Sequence, residues 1–396
     1  MRWVFLAFAF AAISTAASAA SVEAGRYQSV LGDCEGCHGK NLAGGVELMT
    51  PFGKLVAPNI TSDRQTGIGN YTAEDFRRAM KEGVAPGGKR LYPAMPYPAY
   101  AKMSDADIAD LWAYFKTVKP IRHAVDVNQL RFPFNLRFMM RGWNMLFFRP
   151  ALYAPDKAKS AAWNRGAYIA TGPAHCGTCH TPKSLFGADK GLALSGASLQ
   201  GWFAPDLTGD RVAGLGGWSG AEVVEYLKTG RNGHSIASGP MGEVIEHSTN
   251  KMNDTDLRSL ATYLKSLPAS TGNGGGATGV EAQMKSGAGI YRMNCAACHS
   301  LDGRGDHVLF PPLAGNALVR QTSAETLARV VLAGSKAVAT RDAPTGSGMP
   351  SFAWKLNDAQ VANLLTYIRN HWGNRAPAVS AEAVKKIRTS LQPASR

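Results

Sequence analysis

Two cysteines separated by two residues and followed at once by a histidine occur three times in this chain, at residues 34–38, 176–180 and 295–299. In each copy the two thiols lie one short turn apart and match the two vinyl groups of a porphyrin. The histidine that follows supplies an imidazole to the iron from the same side. The pattern predicts three covalently bound haem c groups, with iron in each. The thioether cysteines would be Cys34, Cys37, Cys176, Cys179, Cys295 and Cys298, and the axial imidazoles would be His38, His180 and His299.

Two other chemistries use paired cysteines. A zinc site needs further Cys or His at ligand spacing after each pair, and the other six histidines of this chain are scattered. A thioredoxin-like dithiol has no need of a histidine after every pair. The three motifs also consume all six cysteines, so no thiol remains for a disulfide. Haem attachment is therefore the interpretation that accounts for the whole pattern.

A second axial ligand closes the far side of a haem, and a thioether there raises the reduction potential and suits electron transfer. Among 13 methionines, one in each unit stands in a loop before the last helix, beside Pro or Gly. These are Met95, Met241 and Met349, and we expect them to bind iron. At Met241 the alternatives His234 and His247 stay open, because both lie in the same loop.

Another methionine position is excluded by comparing the units. Met103 and Met252 precede the last helix of units one and two, but the third unit has Leu356 there. A position that accepts leucine does not serve as a general iron ligand, so we predict that these side chains pack in the core.

The whole chain is a threefold repeat. Each unit opens with a helix that carries Gly and Tyr, which we align as Gly25/Tyr27, Gly166/Tyr168 and Gly289/Tyr291. Each closes with an amphipathic helix that starts Lys-Met/Leu-Ser/Asn-Asp, in which the Ser or Asn is a natural N-cap.

Proline-bearing loops follow the motifs. We expect the backbone around Pro58, Pro205 and Pro312 to accept a hydrogen bond from the second nitrogen of each ligand imidazole. Arg90, just before the Met95 loop, is either a partner of a haem propionate or a solvated arginine.

Length and patterning predict several segments. Residues 1–19 have a charged start, an apolar run and an Ala-x-Ala signal, as a secretory signal peptide does, although a retained anchor is the alternative. The predicted order is signal peptide 1–19, haem domain 20–120, apolar linker 121–155, haem domain 156–268, flexible glycine-rich linker 269–281, haem domain 282–375, and basic amphipathic tail 376–396.

Two segments suggest surface roles. The linker stretch 135–148 combines arginines with aromatic and aliphatic residues, so it lies on lipid, against a partner, or packed between haem domains. The tail has Val384, Ile387 and Leu391 on one helical face and basic residues on the other, which suggests a peripheral membrane foot.

The formal net charge is +14. A basic surface favours an acidic protein partner or anionic lipid. The chain has no dense stripe of Lys and Arg, so nucleic acid is not an expected partner.

The motifs, the proline-bearing loops, the loop methionines and the final Leu-x-x-Tyr helices resemble small cytochrome c domains with Met/His ligation. End to end, the chain resembles the three-haem cytochrome c subunit of bacterial membrane-bound dehydrogenases for alcohol, gluconate, sorbitol or fructose. The stretches that carry this closer resemblance are residues 90–97, 132–135 with 143–144, and 239–241 with 246–248.

The resemblance implies an all-α fold of three tandem Met/His cytochrome c domains. It implies an electron-transfer subunit on the periplasmic side of the cytoplasmic membrane, with no catalytic residues of its own. Its partners would be a catalytic dehydrogenase subunit of FAD or PQQ type and an acceptor, ubiquinone or an oxidase. The alternatives are a stand-alone multihaem enzyme, peroxidase-like or thiosulfate-oxidising, and a carrier subunit of a terminal oxidase.

Overall fold

The computed structural model describes residues 19–270, 275–306 and 308–391. The predicted signal peptide, except for its last residue, lies outside these ranges. Within them the fold is mostly helical, as expected, and short antiparallel strand pairs, which the sequence did not predict, join some of the helices. No helix in these ranges has the length and apolarity needed to cross a membrane.

Each domain places a motif helix directly after its first long helix and a long helix at its end. In the first domain the elements are α1 (Val22–Leu31), α2 (Cys34–His38), β1 (Glu47–Thr50), β2 (Gly53–Val56), α3 (Ala73–Glu82), β3 (Val84–Ala85), β4 (Lys89–Arg90), α4 (Tyr97–Tyr100) and α5 (Asp105–Thr117). The linker adds β5 (Asn128–Leu130) and α6 (Met139–Phe147).

The second domain contains α7 (Ala161–Thr171), α8 (Gly177–His180), β6 (Ala197–Leu199), β7 (Trp202–Ala204), α9 (Gly220–Thr229), α10 (Gly239–His247) and α11 (Asp254–Lys265). The third contains α12 (Glu281–Asn294), α13 (Ala296–His299), α14 (Glu325–Ala333), β8 (Ser335–Lys336), β9 (Gly348–Met349), α15 (Asp358–Asn370) and α16 (Ala381–Leu391). All strand pairs are antiparallel, and β5 of the linker pairs with β2 of the first domain.

The last helix of every domain starts where the sequence predicts. The side chains of Ser104, Asn253 and Asn357 each accept the backbone N–H three residues on, at the starts of α5, α11 and α15. Such N-caps satisfy a donor that the helix itself leaves unpaired.

The first and last helices of each domain cross at a glycine. A Cβ built on Gly25 would meet the carbonyl oxygen of Asp110 at 1.9 Å, and one on Gly166 would meet that of Ser259 at 1.9 Å. In the third domain the glycine at the crossing is Gly287. A Cβ built on it would meet the carbonyl oxygen of Asn363 at 2.2 Å. Our alignment of Gly289 with this position is therefore wrong by two residues.

Around each crossing lies an apolar core. Met103 and Met252 are 1% and 4% exposed, and Leu356 in the third domain is 5% exposed. All three pack with the buried leucines of the last helix of their domain. Their packing role is confirmed.

The tail packs on the third domain. Val384 of α16 is fully buried, and Ile387 and Leu391 pack against the same core. Arg388 donates to Asp358 at 2.6 Å and to the carbonyl oxygen of Leu356 at 2.7 Å. The expectation of a membrane foot is wrong for the described part of the tail, because its apolar face is already covered by protein.

Domains one and two meet through a reciprocal contact. The hydroxyl of Tyr27 donates to Asp256 at 2.8 Å, and that of Tyr168 donates to Asp107. Both carboxylates occupy the third position of the last helix of their domain. The third domain has Gln360 there, which closes its own capping box instead.

Candidate haem sites

In domains one and two the motif helix follows a sharp change of chain direction. Asp33, before α2, and His175, before α8, both have positive φ, at 47° and 38°. The short helical turn that follows brings the first and second cysteine of each pair to one side, since residues three apart share a helix face. The first cysteine of each pair, Cys34, Cys176 or Cys295, packs at the core of its domain, whereas Cys298 is exposed.

The Nδ1 atom of each motif imidazole lies within hydrogen-bond distance of a backbone carbonyl oxygen. His38 Nδ1 lies 2.7 Å from the carbonyl oxygen of Pro58, and His180 Nδ1 lies 2.7 Å from that of Pro205. His299 Nδ1 lies 3.1 Å from the oxygen of Pro311. The predicted acceptors are confirmed, and in the third domain the carbonyl belongs to the residue before Pro312.

This arrangement suits iron. Burial lowers the pKa of all three imidazoles, so the neutral form is favoured. With Nδ1 donating to a carbonyl, the neutral ring presents the lone pair of Nε2, and no hydrogen bond within the described residues engages that atom. An oriented ring with a free Nε2 is what an axial ligand requires.

The six cysteines are all free thiols in this fold. Burial raises the pKa of Cys34 and of Cys176 to about 12, and that of Cys37 and of Cys295 to about 11. In these four thiols burial favours the protonated form over the thiolate that binds a metal. In the described ranges no three His, Cys, Asp or Glu side chains cluster to hold a metal ion. Within those ranges a zinc ion would therefore lack a tetrahedral set of ligands, whereas a haem needs only two thiols and one imidazole from each motif.

The three methionines predicted to bind iron differ in local structure: Met95 lies in a loop, Met349 ends β9 and Met241 lies in α10, so the loop expected for Met241 and Met349 is wrong. Met95 packs against the core cluster that includes Cys34, and Met349 packs against the cluster that includes Cys295. Met241 is the third residue of α10 and is half-buried. Their role as iron ligands stays a prediction.

The two histidines near Met241 differ. His234 Nε2 lies 2.9 Å from Glu222 Oε1, and its ring stacks on Trp218 at 5.2 Å between centroids. His247 ends α10 with both ring nitrogens buried and without a hydrogen-bond partner in the described chain. His234 is thus engaged by protein, while His247 stays open as an alternative to Met241.

Arg90 also has a buried nitrogen without a partner, its Nε, next to the Met95 loop. A buried guanidinium nitrogen that lacks an acceptor fits an anionic group supplied by a bound cofactor. The propionate role of Arg90 remains a prediction that this feature supports.

The motifs of domains one and two face a common seam. Helix α10 contacts α2, and the pKa of the Cys37 thiol is raised by burial and, in part, by Cys179 of the other motif. Two ion pairs cross the seam, Lys40 with Glu246 at 2.9 Å and Lys251 with Glu35 at 3.0 Å. Sequence reasoning missed this seam. The repeated Asp at the third position of α5 and α11, absent from α15, was the one available signal.

Comparison with known proteins follows the same threefold division. A family profile described as Cytochrome c matches residues 22–119, 164–268 and 284–372. The cytochrome c subunit of alcohol dehydrogenase (quinone) from Gluconobacter oxydans is 39% identical, over 96% of this chain and 84% of its own length. The gluconate 2-dehydrogenase cytochrome c subunit of Pantoea cypripedii is 38% identical, over 94% and 90%. The fructose dehydrogenase cytochrome subunit of Gluconobacter japonicus is 35% identical, over 93% and 82%.

Proposed function

The chain belongs to the cytochrome c family, and from that premise we propose that it is the three-haem electron-transfer subunit of a dehydrogenase complex. It accepts electrons from a catalytic subunit that oxidises an alcohol, a sugar or a sugar acid. It delivers them to membrane quinone or to the respiratory chain, and it is not itself the catalyst. The observation that carries this proposal is the similarity to three dehydrogenase cytochrome subunits along at least 93% of the chain.

Three covalently bound haem c groups would supply one-electron redox chemistry. Cys34, Cys37, Cys176, Cys179, Cys295 and Cys298 hold them, and His38, His180 and His299 are the imidazole ligands. Met95, Met241 and Met349 would each supply a thioether ligand to one iron. The chain's own contribution is to orient each imidazole through a proline-bearing loop and to exclude water with a leucine-rich core.

Export completes the proposal. A cleaved signal peptide at residues 1–19 carries the chain to the periplasmic side of the bacterial cytoplasmic membrane, where it associates peripherally. The catalytic partner is of FAD or PQQ type, and the acceptor is ubiquinone or an oxidase. The Gluconobacter oxydans relative is the cytochrome c subunit of an alcohol dehydrogenase (quinone), and this supports a quinone acceptor for the present chain.

The first test is haem quantitation and spectroscopy on the exported protein. We expect three haems per chain, all low-spin, with the weak methionine–iron absorption of the oxidised form from each. A haem that binds carbon monoxide readily would indicate an open iron and would favour a stand-alone multihaem enzyme instead.

The second test is copurification from the native host with an affinity tag on this chain. A flavin or quinoprotein dehydrogenase subunit that copurifies and reduces the haems on addition of its substrate supports the proposal. Copurification with a terminal oxidase alone would contradict it and support the carrier alternative.

A further inference from the structure

Large apolar side chains are exposed in two segments of the described structure that contact each other through Phe186. They come from the linker and from one loop of domain two, and Phe132 and Leu185 reach 78% and 90% exposure. We call this set the linker apolar surface. Its members are Phe132, Phe138, Met145, Leu146, Leu185 and Phe186.

Helix α6 is fixed so that its apolar face points outward. The hydroxyl of Tyr97 donates to Asn144 at 2.5 Å, and Phe148, just after the helix, is buried edge-on against the ring of Tyr97. No residue of α6 itself is buried. The helix is thus attached to domain one by few side chains, and Met145 and Leu146 remain in contact with solvent.

The loop of domain two extends the same surface. The indole of Trp143 donates to the carbonyl oxygen of Phe186 at 2.9 Å, and Phe147 stacks on the Phe186 ring at 6.2 Å between centroids. Leu185 and Phe186 stand at the tip of a tight turn whose flanking residues Lys183 and Asp189 are paired. Among the described residues, Leu185 and Phe186 belong to none of the buried apolar clusters.

The linker part of this surface carries only positive charge, and in the loop of domain two Asp189 is paired with Lys183. From residue 127 to 155 the chain has no Asp or Glu. Arg131, Arg141 and Arg149 are exposed there, while Arg137 is half-buried over the ring of Tyr92 at 4.8 Å. Apolar side chains beside unpaired arginines match the boundary of an anionic bilayer, where acyl chains take the former and headgroups the latter.

We propose that the linker apolar surface is where the folded protein lies on anionic lipid. The inference rests on the peripheral membrane association within the proposed function, and it replaces the tail with the linker as the membrane-contacting element. Lipid suits this surface better than an acidic protein partner, because its apolar members project from a helix face and a turn tip with few hydrogen-bonding groups among them.

Flotation of the mature, haem-loaded chain with vesicles tests this, with the haem absorbance reporting the bound fraction. We compare phosphatidylcholine vesicles with vesicles that also contain phosphatidylglycerol. The test variant is Met145→Ser/Leu146→Ser/Leu185→Ser/Phe186→Ser. The matched control removes equally exposed apolar side chains from domain three: Met293→Ser/Leu301→Ser/Trp354→Ser.

We expect the wild type and the control to float with the anionic vesicles. The test variant should bind these vesicles at least about tenfold more weakly. Replacing Arg131, Arg141 and Arg149 by Gln should abolish the preference for phosphatidylglycerol. If the test variant binds vesicles as the wild type does, the linker apolar surface is not the lipid-contacting surface, although the protein still associates with membranes. A wild type that binds no vesicle would overturn both, and the haem spectrum would still report separately on electron transfer. A test variant that keeps vesicle binding but loses the copurifying dehydrogenase would make this surface a protein interface instead.

Discussion

The imidazoles of His38, His180 and His299 each commit Nδ1 to a carbonyl in a proline-bearing loop, and this leaves Nε2 for iron. The carbonyl orients the ring and increases its basicity as a ligand. A backbone acceptor suits this task, because it has no charge that would alter the net charge of the site. The same solution appears in all three domains, although the donor distance is longer in the third.

At the scale of the single residue, Met241→Ala should open one iron of three. We expect one high-spin haem per chain that binds carbon monoxide, with the methionine–iron absorption reduced by about one third, because alanine offers no lone pair. Absorption spectroscopy of the oxidised and carbon monoxide-treated protein measures both.

Met252→Leu is the matched control, since the third domain has leucine at this position. It should leave all three haems low-spin. If His247 is the ligand, then Met241→Ala will leave the spectrum unchanged and His247→Ala will open the iron instead.

At the scale of the helices, the close crossing of the first and last helix of a domain requires a glycine, because a Cβ at that position would overlap the backbone of the other helix. Gly287→Ala should destabilise the third domain by about 1–3 kcal/mol, because the new methyl group would overlap the carbonyl oxygen of Asn363. Urea unfolding of the holoprotein, monitored by the helical circular dichroism signal, measures the shift in the urea concentration at the midpoint of unfolding.

Gly289→Ala, two residues along the same helix, meets no atom within 4 Å. We expect it to be neutral or to stabilise by about 0.5–1 kcal/mol through helix propensity. Equal effects of the two substitutions would mean that the crossing does not lie at Gly287.

The tail helix gives a second prediction for the elements. Val384→Asp should destabilise the third domain by about 3 kcal/mol, because a carboxylate would enter a core with no partner for it. Thermal unfolding of the holoprotein measures this.

Lys385→Asp, on the exposed side of the same helix, is the control and should change stability by less than about 0.5 kcal/mol. Vesicle binding should survive Val384→Asp under conditions where the domain is folded. Loss of vesicle binding with unchanged stability would restore the tail as a membrane foot.

At the scale of the whole molecule, domains one and two contact each other through two hydrogen bonds between a tyrosine of one domain and an aspartate of the other, Tyr27 with Asp256 and Tyr168 with Asp107. Asp256 also receives two hydrogen bonds at 2.8 Å from Arg165, so its carboxylate is well satisfied. Tyr27→Phe and Tyr168→Phe should each weaken the interface by about 1 kcal/mol. Hydrogen–deuterium exchange should then increase in both α1 and α7.

Tyr291→Phe is the matched control in the third domain. Its hydroxyl donates within its own domain, to the carbonyl oxygen of Ser300 at 2.6 Å. Faster exchange should therefore be confined to the third domain. If Tyr27→Phe changed exchange only in α1, the reciprocal contact would not hold the two domains together.

The sequence by itself determined what depends on neighbours along the chain. Two cysteines three residues apart, the second followed directly by a histidine, form a local pattern. An N-cap side chain that accepts the backbone N–H three residues on is another. The proline loops, the core role of Met103 and Met252, and the repeat itself followed because each unit could be compared with the other two.

The tertiary structure decided which faces meet. An amphipathic helix has the same pattern whether its apolar side covers a core or lies on lipid, so α16 was misassigned and the role of α6 stayed open. The glycine at a helix crossing is identified only by the backbone opposite it, which is why Gly287 rather than Gly289 marks the third crossing. The contacts of Phe186 with Trp143 and Phe147 join residues about 40 positions apart in sequence, and only the packed chain brings them together.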